Sequence, residues 1–201
     1  MSDFVAFVQL GFGHITTLDA LDHILFLLAL AAIYTVRDWR DTLWVVTAFT
    51  IGHSVTLVLA VTGLLRLQAD VVEFLIPLTI VATCVENVIV KERKAAARGQ
   101  HRRPVLAGVF GLVHGAGFAN YLQNVFADRI ALPLFGFNLG IELGQITVLI
   151  AIFAGLHLLD RAIVWSRVGS SSWPVLRLRT AGLSSLIMIV AARWAVLRAP
   201  W

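Results

Sequence analysis

Charge is scarce in this chain. Asp, Glu, Lys and Arg make up 14% of its 201 residues, where a soluble domain carries roughly a quarter. Hydrophobic residues make up 59% and the mean hydropathy is +0.85, more apolar surface than a core of this size can hide. An ordinary soluble domain is excluded. No long polar region is left over, so one transmembrane domain is expected over residues 1–201. Cysteine is scarcer still. Cys84 stands alone in an apolar run, which rules out an intrachain disulfide and makes it a small packing residue. No basic residue precedes the apolar part of MSDFVAFVQLGFG, which argues against a cleaved signal peptide.

What is there is a series of apolar runs. A membrane-crossing helix needs about 20 mostly apolar residues. Six runs meet that need, at about 18–36, 42–64, 71–91, 105–124, 132–158 and 175–197. The expected fold is therefore an all-α integral membrane protein, a single bundle of about six transmembrane helices with a polar interior. Residues 3–12 are apolar but short, suited to an interfacial helix or an extension of the first span. Pro77 is expected to kink the third span.

The net charge is +4, and the basic residues cluster by loop. Arg37 and Arg40 follow the first span. Lys91, Arg93, Lys94, Arg98, Arg102 and Arg103 follow the third. Arg161 and Arg167 follow the fifth, and Arg177 and Arg179 stand at the entry to the sixth. The second and fourth loops have one each, Arg66 and Arg129. The pattern reads as topology, not as a nucleic-acid footprint. It places the odd loops in the cytoplasm and both termini outside, with Arg193 and Arg198 weakly opposed.

Ionisable groups inside spans are costly and usually mark function. Asp19, Asp22 and His23 share one face at the start of the first span, where imidazole beside carboxylate suits a divalent metal, although Asp19 could simply cap the helix. His53 lies mid-span with Thr47, Thr50 and Ser54 around it. Glu86 and Asn87 lie near the end of the third span, with Thr79 and Thr83 on the face of Glu86. His114 borders a small-residue seam, Ala107, Gly111, Gly115 and Ala119, suited to close helix contact. In the fifth span Asn138, Glu142 and Gln145 form one stripe. Gly136, Gly140 and Gly144 form another, expected to pack on a neighbouring helix. The sixth span has no acid and no histidine and reads as scaffold. At about 1.5 Å per residue, Asp22 and His23 fall about 7 Å below the outer edge, and His53, His114 and Glu142 about 15 Å down.

The stretches GHI…DHILFLL, FTIGHSVTL, VENVIV, FGLVHGAGFA and FNLGIELGQ, in this order over about residues 11–150, resemble the HupE/UreJ membrane proteins. The resemblance implies a nickel or cobalt permease associated with hydrogenase and urease metallation. It implies His14, Asp22, His23, His53, His114 and Glu142 as functional residues. Seven residues separate His14 from Asp22 where the family motif has five. Either the entry to the first span is non-helical, or His14 is not a ligand.

The leading expectation is transport or handling of a divalent transition metal (nickel or cobalt, or else zinc or copper) in a bacterial inner membrane. Asp22, His23, His53, His114, Glu142 and His14 are the candidate metal residues. Asp19, Ser54, Glu86, Asn87, Asn138 and Gln145 are candidate supporting or pathway residues. The expected partners are the metal ion, the lipid bilayer and, as an open alternative, a second copy or a metalloenzyme-assembly partner. Two other classes stay open: an intramembrane zinc-dependent hydrolase, and an assembly factor holding haem through His53 and His114 or delivering a metal.

Overall fold

The computed structural model describes residues 3–17, 20–66, 68–89, 102–125, 131–166 and 174–201, with side chains 119–125 left undescribed. Asp19, most of the basic loop before Arg102, Arg129 and Arg167 lie outside the described residues. The described chain is all-helical. Its α-helices are α1 (Asp3–Thr16), α2 (Leu21–Ala31), α3 (Trp39–Val61), α4 (Ala69–Ile89), α5 (Arg102–Val125), α6 (Ala131–Trp165) and α7 (Val175–Leu197), with a short 3₁₀ turn, Val36–Asp38, leading into α3.

Local chemistry accounts for several boundaries. The Asp38 carboxylate accepts the Thr35 backbone N–H at 2.9 Å and its hydroxyl at 2.7 Å, tying off the turn before α3. Gly63 takes φ +76° just after α3, a left-handed stop that suits glycine. Pro174 precedes the first turn of α7, whose Arg177 N–H bonds back to its carbonyl. Pro77 sits inside α4 without ending it.

Four helices are long and apolar enough to cross a membrane: α3 with its leading turn, α4, α6 and α7. α1 and α2 pass the same criteria only taken together, as a pair bent by 68° at their break. The sixth expected span is α5, of 24 residues; it is not among the helices that meet those criteria. Over the expected first span, 18–36, the α-helix described is α2. α2 has only 11 residues, about 16 Å of rise, too short for a hydrocarbon core of about 30 Å. α1 precedes it, and the break lies between Thr16 and Leu21; at its near edge Thr16 Oγ1 donates to Phe12 O at 2.9 Å.

Glycines set the closest packing. α3 and α5 run parallel. A Cβ on Gly52 would strike the carbonyl of Gly108, and one on Gly111 would strike that of Phe49. α1 and α6 also run parallel, with Gly140 against the carbonyl of Val8 and Gly11 against that of Phe137. The glycine stripe of α6 thus packs on a neighbouring helix, as the sequence suggested. α4 and α7 pack antiparallel: Asn87 meets Ser184 at one end, and Phe74 meets Trp201 at the other.

At the Asn87 end a network of buried arginines joins the helix termini. Arg179 donates to Asp160 at 2.6 Å and to the carbonyls of Ala32 (3.1 Å) and Tyr34 (2.6 Å). Arg177 donates to Val88 O. Arg103 donates to Asn87 Oδ1 at 2.8 Å and lies 3.6 Å from Glu86. These bonds draw the ends of α2, α4 and α6 and the starts of α5 and α7 to one side of the bundle. Guanidinium groups there meet carbonyls at the negative ends of α2 and α4.

Candidate metal centre

The bend between α1 and α2 has a direct consequence. His14 lies in the last turn of α1 and His23 in the first full turn of α2. In a straight helix, nine residues would turn the two rings apart. Across the bend they meet, with ring centroids 4.7 Å apart. His53, from the middle of α3, closes the group at 5.9 Å from His14 and 6.2 Å from His23. One ligand nitrogen from each of the three rings lies within 4.8 Å of the others. A tetrahedral ion with metal–nitrogen bonds of about 2.0–2.1 Å holds its nitrogens roughly 3.4 Å apart, so small side-chain adjustments close the site.

Most of the nitrogens in these rings and in His114 have no hydrogen bond. His14 Nε2, both nitrogens of His23, both of His53 and Nδ1 of His114 are buried without a hydrogen bond. Buried polar atoms are rarely left so. A group of neutral nitrogen donors at the meeting point of three helices is the donor set of a borderline transition metal ion, and it fits one.

His114 stands beside the triad. Its ring is 5.1 Å from that of His23, and its Nε2 lies 2.9 Å from Thr79 Oγ1. Gly115 holds α5 so close that a Cβ there would strike the His53 backbone. Asp22 sits at the rim. Its Oδ1 accepts the His23 backbone N–H at 3.1 Å and lies 3.3 Å from His23 Nδ1. That contact is close, but its angles are not those of a hydrogen bond. A carboxylate this near Nδ1 is the kind of neighbour that orients a ligating imidazole. The other Asp22 oxygen is 3.8 Å from Arg198.

Aromatic rings wall the site. Phe118 stacks on His14 at 4.1 Å and on Phe137 at 5.4 Å. Phe26 and Phe49 pack on His114 at 5.0 and 5.1 Å and on each other at 4.9 Å. Both are fully buried and belong to a cluster with Leu30, Val45, Ile80 and Cys84. Beyond that apolar layer lies the arginine network.

The other candidates are placed elsewhere. Glu142 accepts Thr47 Oγ1 at 2.9 Å, Gln145 accepts Thr50 Oγ1 at 2.7 Å, and Asn138 accepts Ser54 Oγ at 2.8 Å. They form a polar seam between α3 and α6, and Glu142 is not grouped with the histidines. Glu86 and Asn87 belong to the Arg103 network; the Asn87 amide also donates to Ala29 O at 2.7 Å and Ser184 Oγ at 3.1 Å. The sequence expected His23 and His53 at different depths; their rings lie 6.2 Å apart, with the break between α1 and α2 beside the middle of α3. Sequence reasoning missed Thr79 as a partner of His114, although its polar face with Thr83 was visible. It also missed Arg103 and Arg179, whose charges were counted for topology only, and Arg198.

The fold and the site define a multi-pass helical membrane protein with a buried histidine cluster. The family model described as HupE / UreJ protein matches residues 1–198. The chain belongs to this family, and the likeness first seen in its motifs extends over nearly its whole length. Neither a search of curated proteins nor one of solved structures gave a match.

Proposed function

We propose that this protein binds a divalent transition metal ion, nickel or cobalt in first place, between His14, His23 and His53, and moves it across or delivers it within the bacterial inner membrane as one transmembrane unit. The carrying observation is the convergence of three ligand nitrogens within 4.8 Å in a buried setting. Family membership supports the metal-handling role. In this reading the termini face outward, and the ion, as substrate, arrives past Asp22 and Arg198, the partly exposed rim. Phe26 and Phe49 close the inner side. Ordinary surface lysines do not compete for such a site, and neutral imidazoles favour nickel, cobalt, zinc or copper over magnesium or calcium. Uptake of radioactive nickel or cobalt by cells expressing the wild type, His53→Ala or His23→Ala tests it. Uptake should fall to the empty-vector level in both variants at equal expression; equal uptake in all three would sink the transport reading.

One observation favours a second reading, an intramembrane zinc-dependent hydrolase. The ligands meet at one level instead of forming a ladder, and three imidazoles leave a fourth position that can hold water. Zinc retained stoichiometrically through purification, with no metal-dependent uptake, would favour it. A haem reading finds no support: Phe26 and Phe49 pack directly on His114, in the space a porphyrin would need.

A further inference from the structure

His114 has a feature that the three-histidine group leaves unused. Its Nδ1 is buried with no partner, and the residue is 1% exposed. The rings in contact with it are His23, Phe26 and Phe49, one of which ligates and two of which offer no hydrogen bond. Its other nitrogen is held by Thr79, and the proton count of that hydroxyl decides the rest. Thr79 Oγ1 donates its single hydrogen to Ile76 O at 2.7 Å. It then has only lone pairs to offer His114 Nε2 at 2.9 Å. Nε2 must therefore carry the ring hydrogen. In a neutral imidazole that leaves Nδ1 with a free lone pair.

We propose that Thr79 is a positioning residue that fixes this tautomer of His114 and so frees Nδ1, on a ring 5.1 Å from that of His23 and outside the 4.8 Å group of His14, His23 and His53, to turn in as a fourth imidazole donor. The inference rests on the metal-binding reading above. A fourth nitrogen completes a tetrahedral sphere, excludes water from it, and selects borderline ions over hard ones through the donor set itself. Thr79 is 7% exposed on α4, which contributes no ligand. Its hydroxyl thus ties the site to a helix that otherwise only surrounds it. Ser keeps the hydroxyl, whereas Val keeps the shape and loses it.

The test is Co(II) titration of the purified full-length protein, followed by visible absorption. The wild type should show the intense d–d bands of four-coordinate Co(II). Thr79→Val should weaken binding about 10–100-fold, the usual cost of losing a group that orients a ligand, and should replace the bands with the weaker ones of a higher-coordinate ion. Thr79→Ser should restore both. A Thr79→Val protein with wild-type affinity and spectrum would overturn the role of Thr79 while leaving metal binding intact. A wild type that binds no Co(II), Ni(II) or Zn(II) would overturn the metal reading itself. Should Thr79→Val fail to fold, ¹⁵N NMR of the histidine rings in the metal-free wild type decides the matter. His114 protonated at Nε2 supports the proposal, and His114 protonated at Nδ1 overturns it.

Discussion

The histidine cluster and the arginine network are both buried, both polar, and both built where helix ends or middles meet, yet they differ in what is left over. Arg179 has a carboxylate and two backbone carbonyls as partners, and Arg103 has an amide oxygen and a carboxylate. Each keeps one spare nitrogen. At the histidines the proportion is reversed: six imidazole nitrogens in four rings are buried without a hydrogen bond, while His114 Nε2 has Thr79. A polar cluster satisfied by its own protein fastens helices. One left unsatisfied, with its atoms converging, is arranged for something else. The lesson is that burial of a polar group in a membrane protein does not by itself mark function; the unmet bonding capacity does.

That contrast can be broken by substitution. Arg179→Met should have the largest effect on stability, about 3–5 kcal/mol, because it strands Asp160 and the carbonyls of Ala32 and Tyr34. Reversible unfolding in detergent measures it, and the metal affinity of the folded protein should be unchanged. His53→Ala should do the reverse. Metal affinity should drop about 10²–10³-fold, taking the binding free energy of a four-ligand zinc site as shared among its ligands. Stability without metal should fall by less than in Arg179→Met, since His53 loses packing but no hydrogen bond. If calorimetry and unfolding gave His53→Ala the stability loss of Arg179→Met, the histidines would be architecture.

Smaller effects sharpen the same contrast. Asn87→Ala removes an amide bonded to Arg103, Ala29 and Ser184, and should cost about 1–3 kcal/mol of stability with no change in metal binding. Arg198→Ala should act only at the histidine end. It removes a cation that competes for Asp22, and stopped-flow measurement should show metal binding accelerated a few-fold, in keeping with a partly exposed pair worth about 0.2–1 kcal/mol. No change in rate would place Arg198 outside the entry route.

Much of this was legible in the chain. α7 spans the residues the apolar run marked, and α3 and α4 lie within three residues of theirs, because long apolar runs between charged loops leave little freedom. The glycine stripe of α6 was readable for a related reason: three glycines at spacing four have few uses but close packing. The bend between α1 and α2 was not readable. Hydropathy averages over a window, and residues 3–12 fell short of a span by themselves. The place of His14 followed from that bend, and the seven-residue spacing to Asp22 gave no sign that the two rings would sit 4.7 Å apart. Glu142 and Asn87 were less legible. Both have the chemistry of site residues, and a sequence cannot say that a hydroxyl on α3 bonds the one and a guanidinium on α5 the other.

X-ray absorption of the Ni(II)- or Co(II)-loaded protein tests the central claim most directly. The account predicts a shell of at least three histidine nitrogens at about 2.0–2.1 Å, with the histidine signature lost or reduced by one ring in each of His14→Ala, His23→Ala and His53→Ala. A bound metal whose shell is unchanged by all three substitutions, or is dominated by carboxylate oxygen, would contradict it.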